Sequence, residues 1–345
     1  MKLLMITRKV DKDDGLAGFT YNWVKKIAGQ VEFLYVMCLE KGNILGLPGN
    51  VKVYSLGKEK GKNRFKEFIN FQILAIKLVP KVDGIFSHQN PEYGILIAPW
   101  AKIFGKKLIA WYAHGSVSWR LKLLDFLADK IVTSTPSGFR LPSKKLLILH
   151  QGIDQEIFSF QERAEHKELR LLSVSRISRT KNIDLMIDLL KSLQDKLDKS
   201  VFLKIVGTAS SDKEKKYWQE LKDKVKSLDL GANVEFLGSV ANDQTPALYQ
   251  WADVFLNFSE TMSLDKTILE AMSCGALVFT SNESAVKIIG SIEPKMLIKD
   301  FGNLTGSFLE LLRADSASLR RRLSKEVADR HDLEDLMRQI AVLYK

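Results

Sequence analysis

Arg176, Arg179 and Lys181 follow directly on an apolar run, Leu169–Ser175, that reads as a buried strand. Fixed cations in a loop leaving a strand suit an anionic ligand: arginine grips oxygens in pairs and lysine adds a point charge. A second stretch, residues 255–278, reads FLNFSETMSLDKTILEAMSCGALV and offers related chemistry by another route. Phe255–Asn257 ends an apolar run and the polar loop Ser259–Ser263 follows. A helix is expected from about Leu264 to Cys274, with Gly275 at its C-cap and a strand over Ala276–Thr280. The first turn of such a helix presents free backbone N–H groups and the positive end of the helix dipole. Lys266 and Glu270 lie on it. Taken alone, either stretch also reads as an ordinary strand–loop–helix of an α/β domain.

The first half holds two further candidates. Gly15 and Gly18 form a G-x-x-G between the first expected strand, Leu3–Thr7, and a helix reaching about Ala28. This is not the dinucleotide fingerprint, but with Lys9 it lets a ligand approach backbone closely. His114 follows the expected strand Leu108–Tyr112 and precedes Gly115, at the carboxyl edge where α/β proteins bind ligands. A lone histidine there also reads as structural. The acidic run Asp11-Lys12-Asp13-Asp14 reads as a solvated turn, and no acidic cluster suggests a metal.

The elements that must position these residues alternate between strand and helix. Val31–Met37, Val51–Ser55, Gly84–Ser87, Lys130–Ser134 and Leu146–His150 are expected as strands, with Ser118–Ala128 as a helix. Tyr93–Phe104 reads as a helix that Pro99 should kink or split. In the second half, strands over Leu169–Ser175, Val201–Val206 and Val234–Leu237 alternate with helices over Ile183–Leu197 and Asp212–Leu228, and Thr245–Trp251 is a short helix. Such alternation implies parallel sheets covered on both faces. Residues 1–158 are read as one Rossmann-like domain, 159–168 as a polar linker and 169–330 as a second Rossmann-like domain. Residues 331–345 are read as a C-terminal helix, with packing back onto the first domain as one option.

The 345 residues carry a net charge of +11, spread unevenly. Residues 1–150 hold 24 Lys and Arg against 11 Asp and Glu, a net of +13, and the remainder is slightly negative. The excess points to an anionic partner for the first half: a phospholipid surface, an anionic acceptor or nucleic acid. No nucleic-acid recognition motif accompanies it. Within that half Lys58–Lys81 is basic and amphipathic. Phe65, Phe68, Ile69, Ile73, Ile76 and Val79 recur at helical spacing among Lys62, Arg64, Lys66, Lys77 and Lys81. One apolar stripe on a helix usually faces a core, and a membrane-facing stripe is the alternative. The apolar runs are too short for a transmembrane helix and the N-terminus too soon charged for a signal peptide. Cys38 and Cys274 read as reduced thiols, which suits a cytoplasmic protein, peripheral at the inner membrane face in the lipid-binding alternative.

Several ordered motifs resemble retaining glycosyltransferases of family 4, the glycosyl transferases group 1. They are Ser175-Arg176-Ile177 with Lys181, Ile205-Val206-Gly207, Val234-Glu235-Phe236-Leu237-Gly238, Ala252-Asp253-Val254, and Glu270-Ala271-Met272 with Gly275. His114-Gly115 and Gly152-Ile153-Asp154 with Phe158 also fit, while the first 110 residues match loosely. The resemblance implies an α/β fold of the GT-B class, with two Rossmann-like domains whose parallel sheets face across a cleft, and C-terminal helices. It implies a nucleotide-sugar donor, a UDP- or GDP-sugar, and a glycan or lipid-linked acceptor, with no cofactor and no required metal. By the same resemblance His114 contacts the transferred sugar, Arg176 and Lys181 hold the diphosphate and Glu270 the ribose. Gly15, Gly18, Gly207, Phe236, Leu237, Ser263, Leu264 and Lys266 line the donor site. The family usually carries a glutamate eight residues before Glu270, and here Met262 stands there. The loop is close to a family variant with L-D-K before the helix, and Lys266 is a candidate for part of the missing glutamate's role. A sugar-nucleotide epimerase of the same architecture and a non-catalytic nucleotide-binding subunit are the alternatives to a transferase.

Overall fold

The computed structural model describes residues 1–345 apart from Leu16, Lys62, Ala164, Glu165 and Asp315. Leu16 of the G-x-x-G turn, Lys62 of the basic segment and two residues of the expected linker therefore lie outside the described residues. The chain forms two compact units, Met1–Asp154 with Asp332–Lys345, and Gln155–His331.

The first unit is built on a seven-stranded parallel sheet: β1 (Lys2–Val10), β2 (Phe33–Lys41), β3 (Val51–Ser55), β4 (Gly84–His88), β5 (Lys107–Trp111), β6 (Lys130–Thr133) and β7 (Leu146–Ile148). Their order is β3-β2-β1-β4-β5-β6-β7, all parallel, so the order reverses between β1 and β4. The central strands are apolar throughout (Leu3, Leu4, Met5 and Ile6 are fully buried) because both faces are covered. Helix α1 (Gly18–Ala28) packs on one face with Trp23, Val24 and Ile27. Helices α2 (Arg64–Leu78), α3 (Pro91–Ile103) and α4 (Trp119–Leu127) cover the other. Ser118 caps α4 by accepting from the Leu121 N–H. Pro99 does not split α3. It sits on the exposed side, where water can serve the Ile95 carbonyl deprived of its donor.

The apolar stripe read on α2 is not the core stripe. Phe71, Ala75 and Leu78 face the sheet, whereas Phe65, Phe68, Ile69, Ile73 and Ile76 are exposed; only Val79 of the expected set is buried. The acidic turn differs from expectation too. Lys9 Nζ lies 2.6 Å from Asp14, 3.1 Å from Asp11 and 3.1 Å from Glu40. Burial opposes the Lys9 charge, but the three carboxylates outweigh it and raise the ammonium's pKa above its ordinary value.

The second unit carries a five-stranded parallel sheet: β8 (Leu169–Val174), β9 (Val201–Val206), β10 (Val234–Gly238), β11 (Val254–Asn257) and β12 (Leu277–Thr280), in the order β10-β9-β8-β11-β12. Its helices are α5 (Ile183–Gln194), α6 (Asp212–Ser227), α7 (Thr245–Trp251), α8 (Lys266–Ser273), α9 (Val286–Ile289), α10 (Leu304–Leu312) and α11 (Ser316–Arg330). Ser211 and Glu214 form a capping box at the start of α6. Helix α8 is buried along Ile268–Ser273, which fits its position beside β11 and β12.

The expected linker residues belong to this second unit. Arg163 donates to the carbonyls of Ala252 and, at 2.8 Å, Tyr249. His166 Nε2 lies 3.2 Å from Asp253 Oδ1, and Arg320 bonds the carbonyls of Asp253 and Gly275. Burial lowers the Arg163 pKa to about 10. Helix α12 (Leu333–Val342) returns to the first unit. Leu333, Leu336, Met337 and Ile340 join the core around Trp23 and Ile27, and Tyr344 donates to the Ile85 carbonyl. Each such buried apolar side chain contributes about 1.5–3 kcal/mol. Among the described residues no helix is long and apolar enough to cross a membrane.

Candidate active site

In an open parallel sheet, ligands bind beyond the carboxyl ends of the strands, where the strand order reverses. In the second unit that point is β8 and β11. Their loops meet: Glu260 N–H donates to the Thr180 carbonyl at 3.0 Å, and Asn182 Nδ2 donates to the Phe258 carbonyl at 3.1 Å. Arg176 leaves the end of β8 exposed; its carbonyl accepts from Ser175 Oγ at 3.2 Å, and among the described residues its guanidinium makes no hydrogen bond or ion pair. The Glu214 carboxylate is its electrostatic neighbour. Arg179, by contrast, is paired with Glu220 and lies over the Tyr217 ring.

Gly207 and Gly238 end β9 and β10 in the same row. Gly207 has φ +141°, and a Cβ there would lie 1.7 Å from the Ser175 carbonyl oxygen. Only glycine lets the ends of β8 and β9 close together. Gly207 N–H donates to the Gly238 carbonyl at 2.8 Å, so the chain ends of β8, β9 and β10 form one backbone ledge. The β9–β10 register shifts between Phe236 and Gly238, and Phe236 and Leu237 remain half-buried beside that ledge.

Lys181 is placed differently from a free phosphate contact. Its side chain is largely buried, with Nζ 2.6 Å from Asp265 Oδ2 and 3.0 Å from Ser259 Oγ. Asp265 also accepts from Asn257 Nδ2 at 2.9 Å and from Thr261 Oγ1 at 3.2 Å. Asp265 stands at the N-cap of α8, yet its carboxylate is spent on these partners and no side chain caps the helix. The first N–H groups of α8 therefore lack a side-chain acceptor, the arrangement that suits an anion. Ser263 turns its carbonyl to Asn282 Nδ2 at 2.9 Å and Leu264 is buried, which fixes the loop that leads into this helix. Met262, at the position of the family glutamate, is exposed.

Glu270 is buried on α8, one turn on from Lys266. Tyr249 donates to Oε2 at 2.9 Å, and Lys266 Nζ lies 2.7 Å from Oε1. The Lys266 contact is Coulombic in character, since Oε1 has no hydrogen-bond partner of acceptable alignment. Burial, with Glu270 alongside, holds the Tyr249 phenol well above its ordinary pKa.

The first unit brings its candidates to the corresponding edge of its own sheet. A pocket of about 370 Å³ at the ends of β4 and β5 is lined by Gln89, Asn90, Glu92, Tyr112, His114 and Ser116, among others. His114 is exposed, with Nδ1 3.2 Å from Ser116 Oγ. The turn it sits in is held by backbone: the N–H groups of His114 and Gly115 both donate to the Gly138 carbonyl. A smaller pocket of about 200 Å³ beside β1 is lined by Arg8, Lys9, Asp14, Ala17, Thr20 and Gln89, among others. Gly18 opens α1 there, its N–H donating to the Asp14 carbonyl, and Gly15 belongs to the same turn. Gln89 borders both pockets with φ +69°, a strained conformation for a residue with a side chain. Neither Gln89 nor Asp265 was legible as a site residue. A glutamine carries no turn signature, and Asp265 gains its role only from where Lys181 folds.

Residues 154–327, just over half of the sequence, match the family described as glycosyl transferases group 1. The chain belongs to that family. Among curated proteins this group 1 chain is similar to mannosylfructose-phosphate synthase of Agrobacterium fabrum, 27% identical over 43% of this chain and 36% of the relative. It is also similar to alpha-monoglucosyldiacylglycerol synthase of Streptococcus pneumoniae, 29% identical over 43% of this chain and 32% of the relative. The match spans about a third of the length of these two relatives. Among solved structures it resembles Anabaena HepE in complex with UDP-glucose, with a TM-score of 0.78 at 16% identity over 99% of this chain and 98% of that one. That likeness shows the fold, the GT-B class of two Rossmann-like units.

Proposed function

We propose that this group 1 protein is a retaining transferase that moves a sugar from a nucleotide diphosphate, a UDP- or GDP-sugar, to a glycan or lipid-linked acceptor. The carrying observation is the meeting of the β8 and β11 loops, where Arg176 is unengaged and α8 begins without a side-chain cap. Breaking the glycosidic bond leaves growing negative charge on the diphosphate. Groups already aimed at that charge stabilise it more in the transition state than in the ground state. Arg176 and the α8 N–H groups supply that stabilisation, and Lys181 adds to it when a phosphate competes with Asp265. Glu270 Oε1, buried and without an aligned donor, is suited to a ribose hydroxyl. Phe236 and Leu237 line the base side, as the family resemblance implies. In the first unit the His114 pocket takes the acceptor and the transferred sugar. No metal and no cofactor enter this scheme, because protein cations carry the leaving-group charge. The HepE structure was solved with UDP-glucose, which makes UDP the first nucleotide to test.

The test is calorimetric titration with UDP and GDP of the wild type and of Arg176→Ala, after a thermal-shift screen of UDP- and GDP-sugars. A charge-assisted hydrogen bond contributes roughly 1.5–3 kcal/mol, so Arg176→Ala should weaken binding at least tenfold. Its melting temperature should not change, as Arg176 holds nothing in the fold. Binding of neither nucleotide by the wild type, or equal binding by the variant, removes the assignment.

A further inference from the structure

We propose that the face formed by α2, α3 and α4 docks on a bilayer containing anionic phospholipid. Helix α2 carries two apolar stripes where a core-facing helix needs one. Phe71, Ala75 and Leu78 satisfy the sheet, yet Phe65 is 71% and Ile73 57% exposed on the far side, along with Phe68, Ile69 and Ile76. The spacing of the exposed set, at steps of three, four and eight residues from Phe65, is that of one helix face. The outward sides of the neighbouring helices continue the pattern, with Ile103 on α3, and Trp119 (67% exposed) and Phe126 (77% exposed) on α4. All three helices cover the same face of the sheet, so these side chains point away from one core. Soluble surfaces scatter single apolar residues and rarely group large ones in this way.

Charge selects the occupant. Arg64, Lys66, Lys77, Lys102 and Lys122 are exposed on the same helices, between and beside the apolar side chains. The first unit carries 26 Lys and Arg against 15 Asp and Glu, a net of +11, and the second unit is neutral at 26 against 26. A second copy of the chain would bring like charge to like charge. An anionic bilayer accepts both features together, with phenylalanine and isoleucine at the acyl boundary and lysine at the phosphates. This face belongs to the first unit and the proposed nucleotide site to the second, so the inference does not depend on the nucleotide assignment.

Co-sedimentation of the full chain with phosphatidylglycerol–phosphatidylcholine vesicles and with phosphatidylcholine vesicles tests it. We expect binding at least tenfold tighter to the anionic vesicles, weakened by salt. Phe68→Glu with Ile73→Glu should abolish it, and each of Lys66→Gln and Lys77→Gln should weaken it about fivefold. Unfolding midpoints should hold, since none of these residues is buried. If the glutamate pair fails to fold, Trp119→Ser with Phe126→Ser takes its place. UDP affinity, measured on the same variants, should stay at the wild-type value, so failure of the membrane face and failure of the nucleotide site are read separately. Equal binding to both vesicle types, no binding to either, or variants that bind as wild type would each overturn the proposal. So would a dimer that the glutamate pair dissolves in a protein that ignores vesicles.

Discussion

Lys181 Nζ lies 2.6 Å from Asp265 Oδ2, joining the loop after β8 to the N-cap of α8 across the point where the strand order reverses. The family resemblance gives the lysine to the donor phosphates, and the structure gives it to a carboxylate. The two agree if the carboxylate holds the ammonium in place until a phosphate competes for it.

Two variants separate these roles. Lys181→Ala removes a largely buried charged partner and should cost about 1.5–3 kcal/mol in urea unfolding. It should also weaken UDP binding. Asp265→Asn keeps the ammonium and removes its competitor. It should lower stability as well, yet bind UDP at least as tightly as wild type. Loss of UDP binding in Asp265→Asn to the level of Lys181→Ala would show that the pair only shapes the loop.

Glu270 and Tyr249 make a second contrast. Tyr249→Phe removes one buried hydrogen bond and should cost about 0.5–1.5 kcal/mol, with UDP affinity little changed. Glu270→Gln keeps the shape and loses the charge facing Lys266. It should weaken UDP by about tenfold if the carboxylate holds the ribose. An unaltered UDP affinity with a lowered melting temperature would reduce Glu270 to a structural ion pair.

His114→Ala should leave the unfolding midpoint in place, because the turn at Gly115 hangs on backbone bonds to Gly138 and not on the imidazole. Nucleotide affinity should stay, while turnover with a nucleotide sugar should fall sharply, as lost transition-state contacts appear in rate. Full turnover in the folded variant would remove His114 from the site.

His88 sets an acid limit on stability. It is fully buried between Trp23, Phe86 and Phe19, with Nδ1 3.0 Å from Thr7 Oγ1, and burial pushes its pKa down to about 3. The folded value lies below the unfolded one, near 6.5. The unfolded chain therefore binds the proton first, and this contribution to stability is full above pH 6.5 and shrinks as pH falls toward 3. The expected slope is roughly 1.4 kcal/mol per pH unit in that window. Urea titrations from pH 7 to 4 should show it, and His88→Phe should flatten it. An equal slope in the variant would place the acid sensitivity elsewhere.

By itself the sequence determined the class of fold and the strands whose ends carry the second unit's candidate site. Runs such as Leu169–Ser175 and Val254–Asn257 are apolar because both faces of a parallel strand are covered, a local signal that needs no partner to be read. Gly207 was visible as a strand-ending glycine, and its reason, the Ser175 carbonyl 1.7 Å from any Cβ, is steric and position-specific. What the chain could not show was which partner each charged or apolar side chain meets, because spacing fixes a helix face but not what lies opposite it. Helix α2 has apolar residues around most of its circumference, and only packing decided that Phe71 goes in and Phe68 stays out. Lys181, 84 residues from Asp265, became half of an ion pair only when β8 and β11 came to lie side by side. Tertiary structure decides such pairs because a buried charge cannot stay unpartnered, and the partner comes from whichever loop the sheet order brings near.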